Sequence, residues 1–285
     1  MMTQRSTPSH RNISYFVARL AIWRNLGCAM ALVLSLFSAH LLPRVAKAET
    51  LVAALRYVDG AIGTDNVGCT TVAFACRTIQ YAIGQASAGD SILIAGGTYT
   101  STNLQVIYVP FTLTISGGWA SDFNSQSGQT IVDAQVTRRG VYVEPNISVT
   151  FDHFTLRNSR SAGQGAGIYA GPNSPITLTY MTLENNIADN SGGGIYAEDD
   201  VAISDSHLEN NKSNGSVGGG LYSNASATLQ RTNFISNSAA YGGGAYAHDP
   251  SRIVGGRFER NSAAGGAGML VSNTLQMQDA VFVGN

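Results

Sequence analysis

From residue 154 onward, apolar and polar positions alternate in short runs such as Ile176-Thr177-Leu178-Thr179, Val201-Ala202-Ile203-Ser204 and Ala227-Thr228-Leu229-Gln230. Period-two alternation predicts half-buried strands. No part of this region carries apolar residues at helical spacing, so the chain must return by strand and turn. The earlier residues read differently. Ile79, Ala82, Ile83 and Ala86 follow helical spacing after Thr78, and Gly89-Asp90 then turns the chain into the apolar strand Ser91-Ile92-Leu93-Ile94-Ala95. Residues 100–153 read as irregular coils, with strands predicted over 104–109, 112–115, 130–132 and 141–143.

The alternating runs belong to a repeat. A glycine-rich mark recurs as Gly165-Ala166-Gly167-Ile168-Tyr169, Gly192-Gly193-Gly194-Ile195-Tyr196, Gly218-Gly219-Gly220-Leu221-Tyr222, Gly242-Gly243-Gly244-Ala245-Tyr246 and Gly266-Ala267-Gly268-Met269-Leu270. A second mark places Asn or Ser three positions after an apolar residue: Leu156/Ser159, Leu183/Asn186, Leu208/Asn211, Phe234/Asn237, Phe258/Asn261 and Phe282/Asn285. Both marks drift together with a period of about two dozen residues, the signature of stacked coils. Leucine-rich repeats need several leucines per unit, and nine-residue calcium-binding β-rolls need an Asp in each; neither requirement is met. The predicted fold is therefore all-β, a right-handed parallel β-helix (solenoid) of about three short strands per coil, with a short N-terminal capping helix to cover the first coil. In such a stack the backbone groups of each strand are satisfied by the coils above and below. Ile168, Ile195, Leu221, Ala245 and Met269 should point inward, and Tyr169, Tyr196, Tyr222 and Tyr246 outward. Asn at a turn tolerates the left-handed conformation, and stacked asparagines can hydrogen-bond between coils.

Charge separates off the N-terminus. Residues 1–48 hold six of the 17 basic residues and none of the 18 acids. They comprise a basic segment with Arg5, Arg11, Arg19 and Arg24, an apolar stretch from Leu26 to Leu42, and Ala46-Lys47-Ala48. This is the layout of a secretory signal with cleavage after Ala48. The rival, an uncleaved anchor, is disfavoured by an apolar stretch of about 17 residues that includes His40. The expected organisation is a signal peptide over 1–48, a cap and first coil over 49–99, and β-helix coils over 100–285. The mature chain keeps 11 basic residues against 18 acids, a net charge of −7. That sign argues against a nucleic-acid or anionic-membrane partner. No second apolar span follows, so no membrane span is expected in the mature chain, which should be secreted or displayed on the cell surface.

In an oxidising compartment Cys69 and Cys76 are expected to form a disulfide that staples the cap. No Cys or His at ligand spacing accompanies them, and no metal or other cofactor is expected. The strongest acid cluster, Glu198-Asp199-Asp200, aligns with Gly171-Pro172-Asn173, Asn224-Ala225 and His248-Asp249-Pro250 in neighbouring coils, which makes it a solvated turn. No Gly-His-Gly and no Arg-x-Lys segment occurs. His153, His207 and His248 occupy different slots of the repeat. Asp152-His153, with Arg157 and Arg160 nearby in sequence, is the one place where a general base could sit. No catalytic residue is assigned.

The segments Tyr57-Val58-Asp59, Thr78-Ile79-Gln80, Ala82-Ile83, Gly89-Asp90 and Gly97-Thr98-Tyr99 resemble the N-terminal part of pectin-lyase-like right-handed β-helix proteins. The GGGIY and FxxN marks resemble the repeats of the chlamydial polymorphic outer membrane proteins, with Gly in place of Ala in the third slot. Such a resemblance implies a β-helix and, through members that are surface adhesins and autotransporter passengers, an outer-surface setting.

Four tyrosines in register, Tyr169, Tyr196, Tyr222 and Tyr246, form the candidate binding feature. They would offer an amphipathic stripe to a glycan or to a surface protein of a host or neighbouring cell. The plainer alternative is a ladder that stabilises the sheet by mutual stacking. The expected function is non-catalytic, in adhesion or extracellular interaction. A polysaccharide lyase or glycoside hydrolase with its site in the early coils, or in a part beyond residue 285, is the alternative. The chain stops at the Phe282/Asn285 mark without a capping segment, so the natural protein is expected to continue.

Overall fold

The computed structural model describes residues 53–66 and 68–285. The expected signal peptide and its cleavage site lie outside the described residues. From Leu55 to Val283 the chain winds as a right-handed parallel β-solenoid of about 7 turns. Three long sheets run along its axis, with nine, eight and seven strands, and a three-stranded ribbon joins them over the middle coils.

One coil illustrates how the repeat generates this form. Ile195–Ala197 lies in the seven-stranded sheet, Val201–Ser204 in the nine-stranded sheet, His207–Glu209 in the eight-stranded sheet and Lys212–Ser213 in the ribbon. Each pairs in parallel with its equivalent one coil away: Val201 with Ile176 and Ala227, and Leu208 with Leu183 and Phe234. The two-residue ribbon strand is additional to the three strands expected per coil. It is too short to carry a period-two pattern, and only stacking reveals it.

Alternation fills the interior as expected. Ile168, Ile195, Leu221 and Ala245 are fully buried in one column, and Met269, in the last coil, is half-buried. Phe234, Phe258 and Phe282 stack with near-parallel planes at centroid spacings of 4.8 and 4.6 Å. Phe234 and Phe258 are fully buried, and burial of each of these two rings contributes about 2–3 kcal/mol.

The turns need a refinement. The mark asparagines are not the left-handed residues; the residue before each one is, as at Asn185, Asn210, Ser236 and Arg260, with φ between 51° and 57°. That turn points the following asparagine inward. The buried amides of Asn186, Asn211, Asn237 and Asn261 and the exposed Asn285 form a hydrogen-bonded column with Nδ2 to Oδ1 distances of 2.8–3.1 Å.

The N-terminal end carries the expected cap. Helix α1, Ile79–Gln85, begins at Thr78, whose Oγ1 accepts from the Tyr81 N–H. Its buried face, Ile79, Ala82 and Ile83, joins the same core as Val58, Cys69 and Cys76. Cys69 and Cys76 are disulfide-bonded with Cα atoms 5.1 Å apart. Backbone bonds from the Tyr57 N–H to the Cys69 carbonyl and from the Cys76 N–H to the Tyr57 carbonyl tie the staple to the first strand, Leu55–Val58. In the last coil Met277, Val281, Phe282 and Val283 are exposed.

Candidate functional site

The tyrosines of the seven-stranded sheet form a ladder, and it is longer than the repeat mark indicates. Tyr108 pairs with Tyr142, and Tyr142 with Tyr169, before the four marked residues continue in register through Tyr196 and Tyr222 to Tyr246. Successive centroids lie 6.0, 5.0, 5.5, 4.8 and 5.4 Å apart, with interplanar angles of 27° or less. The first two rungs lack the glycine run that flags the others. Their sequence signal is only the apolar-Tyr pair, Ile107-Tyr108 and Val141-Tyr142.

Stacking along the axis determines what the ladder can present. Each inner ring has both faces occupied by its neighbours, so its edge and hydroxyl point outward. A flat aromatic platform is therefore not what the middle of the stripe offers. Tyr196 is only 6% exposed. The hydroxyls are held by polar side chains: Tyr108 donates to Glu144 in the next coil at 2.6 Å, while Tyr196 and Tyr222 donate to residues two positions on, Glu198 at 2.8 Å and Asn224 at 3.1 Å. Burial, reinforced by the bond to Glu198, pushes the Tyr196 hydroxyl well above the ordinary phenol range. The Glu144 hydrogen bond, ahead of burial, raises Tyr108. These rungs remain protonated donors.

At its N-terminal end the ladder opens into a groove. Tyr108, the first rung, has a ring partner on one side, Tyr142. It lines a cleft of about 700 Å³ with Gln80, Asn103, Leu104 and Arg138, and a second of about 440 Å³ with Arg138, Arg139, Tyr142, Glu144 and Arg160. A third hollow of about 680 Å³ shares Gln80, Thr102 and Asn103 with the first and reaches back to the cap. Leu104 stands 88% exposed at the rim.

The profile of the right handed beta helix region family matches residues 139–285. The chain belongs to that family. No curated protein and no solved structure matches it. The match begins inside the groove, at Arg139, and covers the regular coils of the β-helix.

Three arginines of the groove differ in how they are held. Arg139 donates to the Gly165 and Gln164 carbonyls at 2.8 and 2.9 Å and to Ser161 Oγ at 3.1 Å. Its guanidinium sits 5.5 and 5.2 Å from the Tyr142 and Tyr169 centroids, a cation–π contact that clamps two rungs. Arg160 pairs with Asp189 at 2.8 Å. Arg138 has no side-chain hydrogen bond or ion pair to any described residue, and its Nη1 is buried without a partner.

The other candidates of the β-helix are dispersed. Glu198 is engaged by Tyr196, Asp199 accepts from the Asp200 N–H, and Asp200 accepts from the N–H and hydroxyl of Ser226 at 3.0 and 2.7 Å. The cluster is a turn whose carboxylates serve three different partners. His207 lies 3.1 Å from Glu209 on its own strand, and His248 lies 3.6 Å from Asp249 in a turn. His153 holds Asp152 at 2.7 Å and packs tilted against Tyr180 with ring centroids 4.6 Å apart. Arg157 and Arg160 do not join it; they bind Asp133 and Asp189. Asp152 is further occupied by Ser116 at 3.0 Å and Gln126 at 2.9 Å. Among the described residues no group of three potential ligands is placed to hold a metal ion, and no helix is long and apolar enough to cross a membrane.

Proposed function

We propose that this β-helix is a non-catalytic recognition protein of the cell exterior, secreted or displayed at the surface, that binds a glycan or a surface protein along the tyrosine-bearing face. The observation that carries the reading is the six-rung ladder ending in an open, polar groove. The face offers a row of hydroxyls and amides with fixed spacing, the chemistry that reads sugar hydroxyls or a peptide backbone. It is rigid, because every rung is stacked and strand-paired, so binding orders little of the protein. The resemblance of the repeat marks to the polymorphic outer membrane proteins, and the predicted signal peptide, support an exterior setting.

A second reading, a carbohydrate-active enzyme, draws on the position of the three clefts in the irregular early coils. Purified protein incubated with uronic-acid polysaccharides, with and without Ca²⁺, separates the two. The recognition reading expects retention on a polysaccharide or cell surface with no new products. Release of unsaturated or reducing ends would overturn it.

A further inference from the structure

We propose that the groove at the N-terminal end of the ladder binds an acidic saccharide, with a sugar ring against the outer face of Tyr108 and its carboxylate or sulfate on Arg138. The inference rests on the recognition reading and adds the site and the ligand class.

Aromatic geometry gives the first step. Sugar rings bind aromatic side chains through an apolar face laid on the π surface, and the inner rungs have none to give because each is sandwiched. Tyr108 has a stacked neighbour on the Tyr142 side only. Its opposite side faces no described aromatic ring, and the residue lines both clefts. Its hydroxyl is fixed on Glu144 and its backbone on Gln80, whose amide accepts from the Tyr108 N–H at 2.7 Å and donates to its carbonyl at 3.2 Å. The ring is pre-oriented, which lowers the cost of binding.

Charge gives the second. The smaller cleft holds three guanidinium groups and one carboxylate, Glu144. Arg139 is anchored by three hydrogen bonds to the Gly165 and Gln164 carbonyls and Ser161 and by its contact with two rungs, and Arg160 is paired with Asp189, so both are already held by the protein. Arg138 lines both clefts beside Tyr108 and has its hydrogen-bonding capacity unspent. A half-buried guanidinium with no counter-ion is unfavourable in isolation. A planar carboxylate or a sulfate supplies what it lacks, through paired charge-assisted hydrogen bonds. The same cleft is lined by the amides of Asn103 and Gln105 and the hydroxyl of Thr102, which match sugar hydroxyls.

Calorimetric titration of the purified protein with a tri-uronate, a neutral trisaccharide of the same linkage and a sulfated trisaccharide tests the proposal. At least one acidic ligand should bind more tightly than the neutral one, and the two acidic arms identify which anion fits. Arg138→Gln should weaken that ligand about tenfold and leave the neutral one unchanged. Thr137→Glu, at an exposed position beside Arg138, should abolish acidic binding with an unaltered melting curve, which guards against misfolding of the Arg138 variant. Tyr108→Leu should weaken acidic and neutral ligands alike. Equal affinity for acidic and neutral ligands, or wild-type affinity in both Arg138→Gln and Thr137→Glu, would overturn the site. Retention of those variants on cell surfaces at wild-type strength would then leave the broader recognition reading standing.

Discussion

Asn211 donates through Nδ2 to Oδ1 of Asn237 at 3.0 Å, and the same Nδ2 reaches the Leu183 carbonyl of the preceding coil at 2.9 Å. Its own Oδ1 accepts from the backbone and the amide of Asn186. One buried side chain therefore serves three successive coils, and every donor and acceptor it carries is used. Asn211→Ala should leave the Asn186 N–H and amide, the Leu183 carbonyl and Asn237 Oδ1 short of partners inside a low-dielectric column. A loss on the order of 3 kcal/mol or more is expected. Urea unfolding followed by circular dichroism measures it; a loss below about 1 kcal/mol would mean that water replaces the amide.

The column also has a flaw at its start. Ser159 occupies the slot before Asn186, and its hydroxyl is buried without a partner, while its backbone N–H already donates to Asn186 Oδ1. Gly140 faces Ser159 as Gly167 faces Asn186 and Gly194 faces Asn211, leaving the same room for an amide. Ser159→Asn should extend the ladder by one member and raise stability by about 1 kcal/mol. An upward shift of the urea midpoint at unchanged slope would confirm it, and a decrease would show that the Leu156 neighbourhood cannot admit the larger side chain.

The third glycine of each mark answers to this column rather than to its own backbone angles. A Cβ on Gly220 would lie 2.5 Å from the Gly244 carbonyl oxygen and 3.1 Å from the Asn237 Cγ, and neither neighbour can yield without shifting a coil. Gly220→Ala should therefore be severely destabilising, by several kcal/mol. Gly163, in the loop before Gln164, has its nearest neighbour 3.9 Å from the added carbon, and Gly163→Ala should be neutral or stabilising by about 0.5 kcal/mol. Thermal melts of the pair decide whether coil spacing or chain flexibility is the governing constraint.

These three positions also explain what was legible in the chain. The repeat marks encode contacts that recur in every coil, so the inward column from Ile168 to Met269, the asparagine ladder and the capping helix could all be read from spacing. Tyr108 and Tyr142 were not readable as rungs. Their strands precede the glycine mark, and Tyr108 is set by the Gln80 bonds from α1, a contact 28 residues away in sequence. The groove was hidden for a related reason. It depends on the loops on either side of Leu104 and Arg138, including consecutive left-handed residues at Gln135 and Val136, which occur once and follow no period. The left-handed residue ahead of each asparagine was misplaced by one position because side-chain chemistry favours Asn for both roles.

Tyr196 separates architecture from recognition. Stacked on Tyr169 and Tyr222, bonded to Glu198 and 6% exposed, it contributes mainly to the fold. Tyr196→Ala should cost about 3 kcal/mol, and Tyr196→Phe, which keeps both stacks, about 1 kcal/mol through the stranded carboxylate. Tyr246, whose hydroxyl meets Ser272 near the surface, should tolerate Phe with little change. If Tyr196→Ala leaves the melting midpoint unmoved, stacking is not what holds the seven-stranded sheet.

Asp90 sets the acid limit of the cap. Burial pushes its carboxyl upward, but hydrogen bonds from the Ser87 and Ala54 N–H groups and the Arg56 guanidinium together more than offset this and hold it below the usual aspartate value. A carboxyl depressed in the folded state stabilises fully above its unfolded value near about pH 4, and that contribution is lost as pH falls toward the folded value. Asp90→Asn should lower stability at pH 7 by about 1–3 kcal/mol. The gap between the two proteins should then narrow steadily below about pH 4, where the wild-type carboxylate takes up its proton. Melting curves at pH 7 and at a series of values down to pH 2.5 test this directly: a gap that stays constant across the series would mean that Asp90 acts through shape alone, and that its charge does not hold the first strand to the cap.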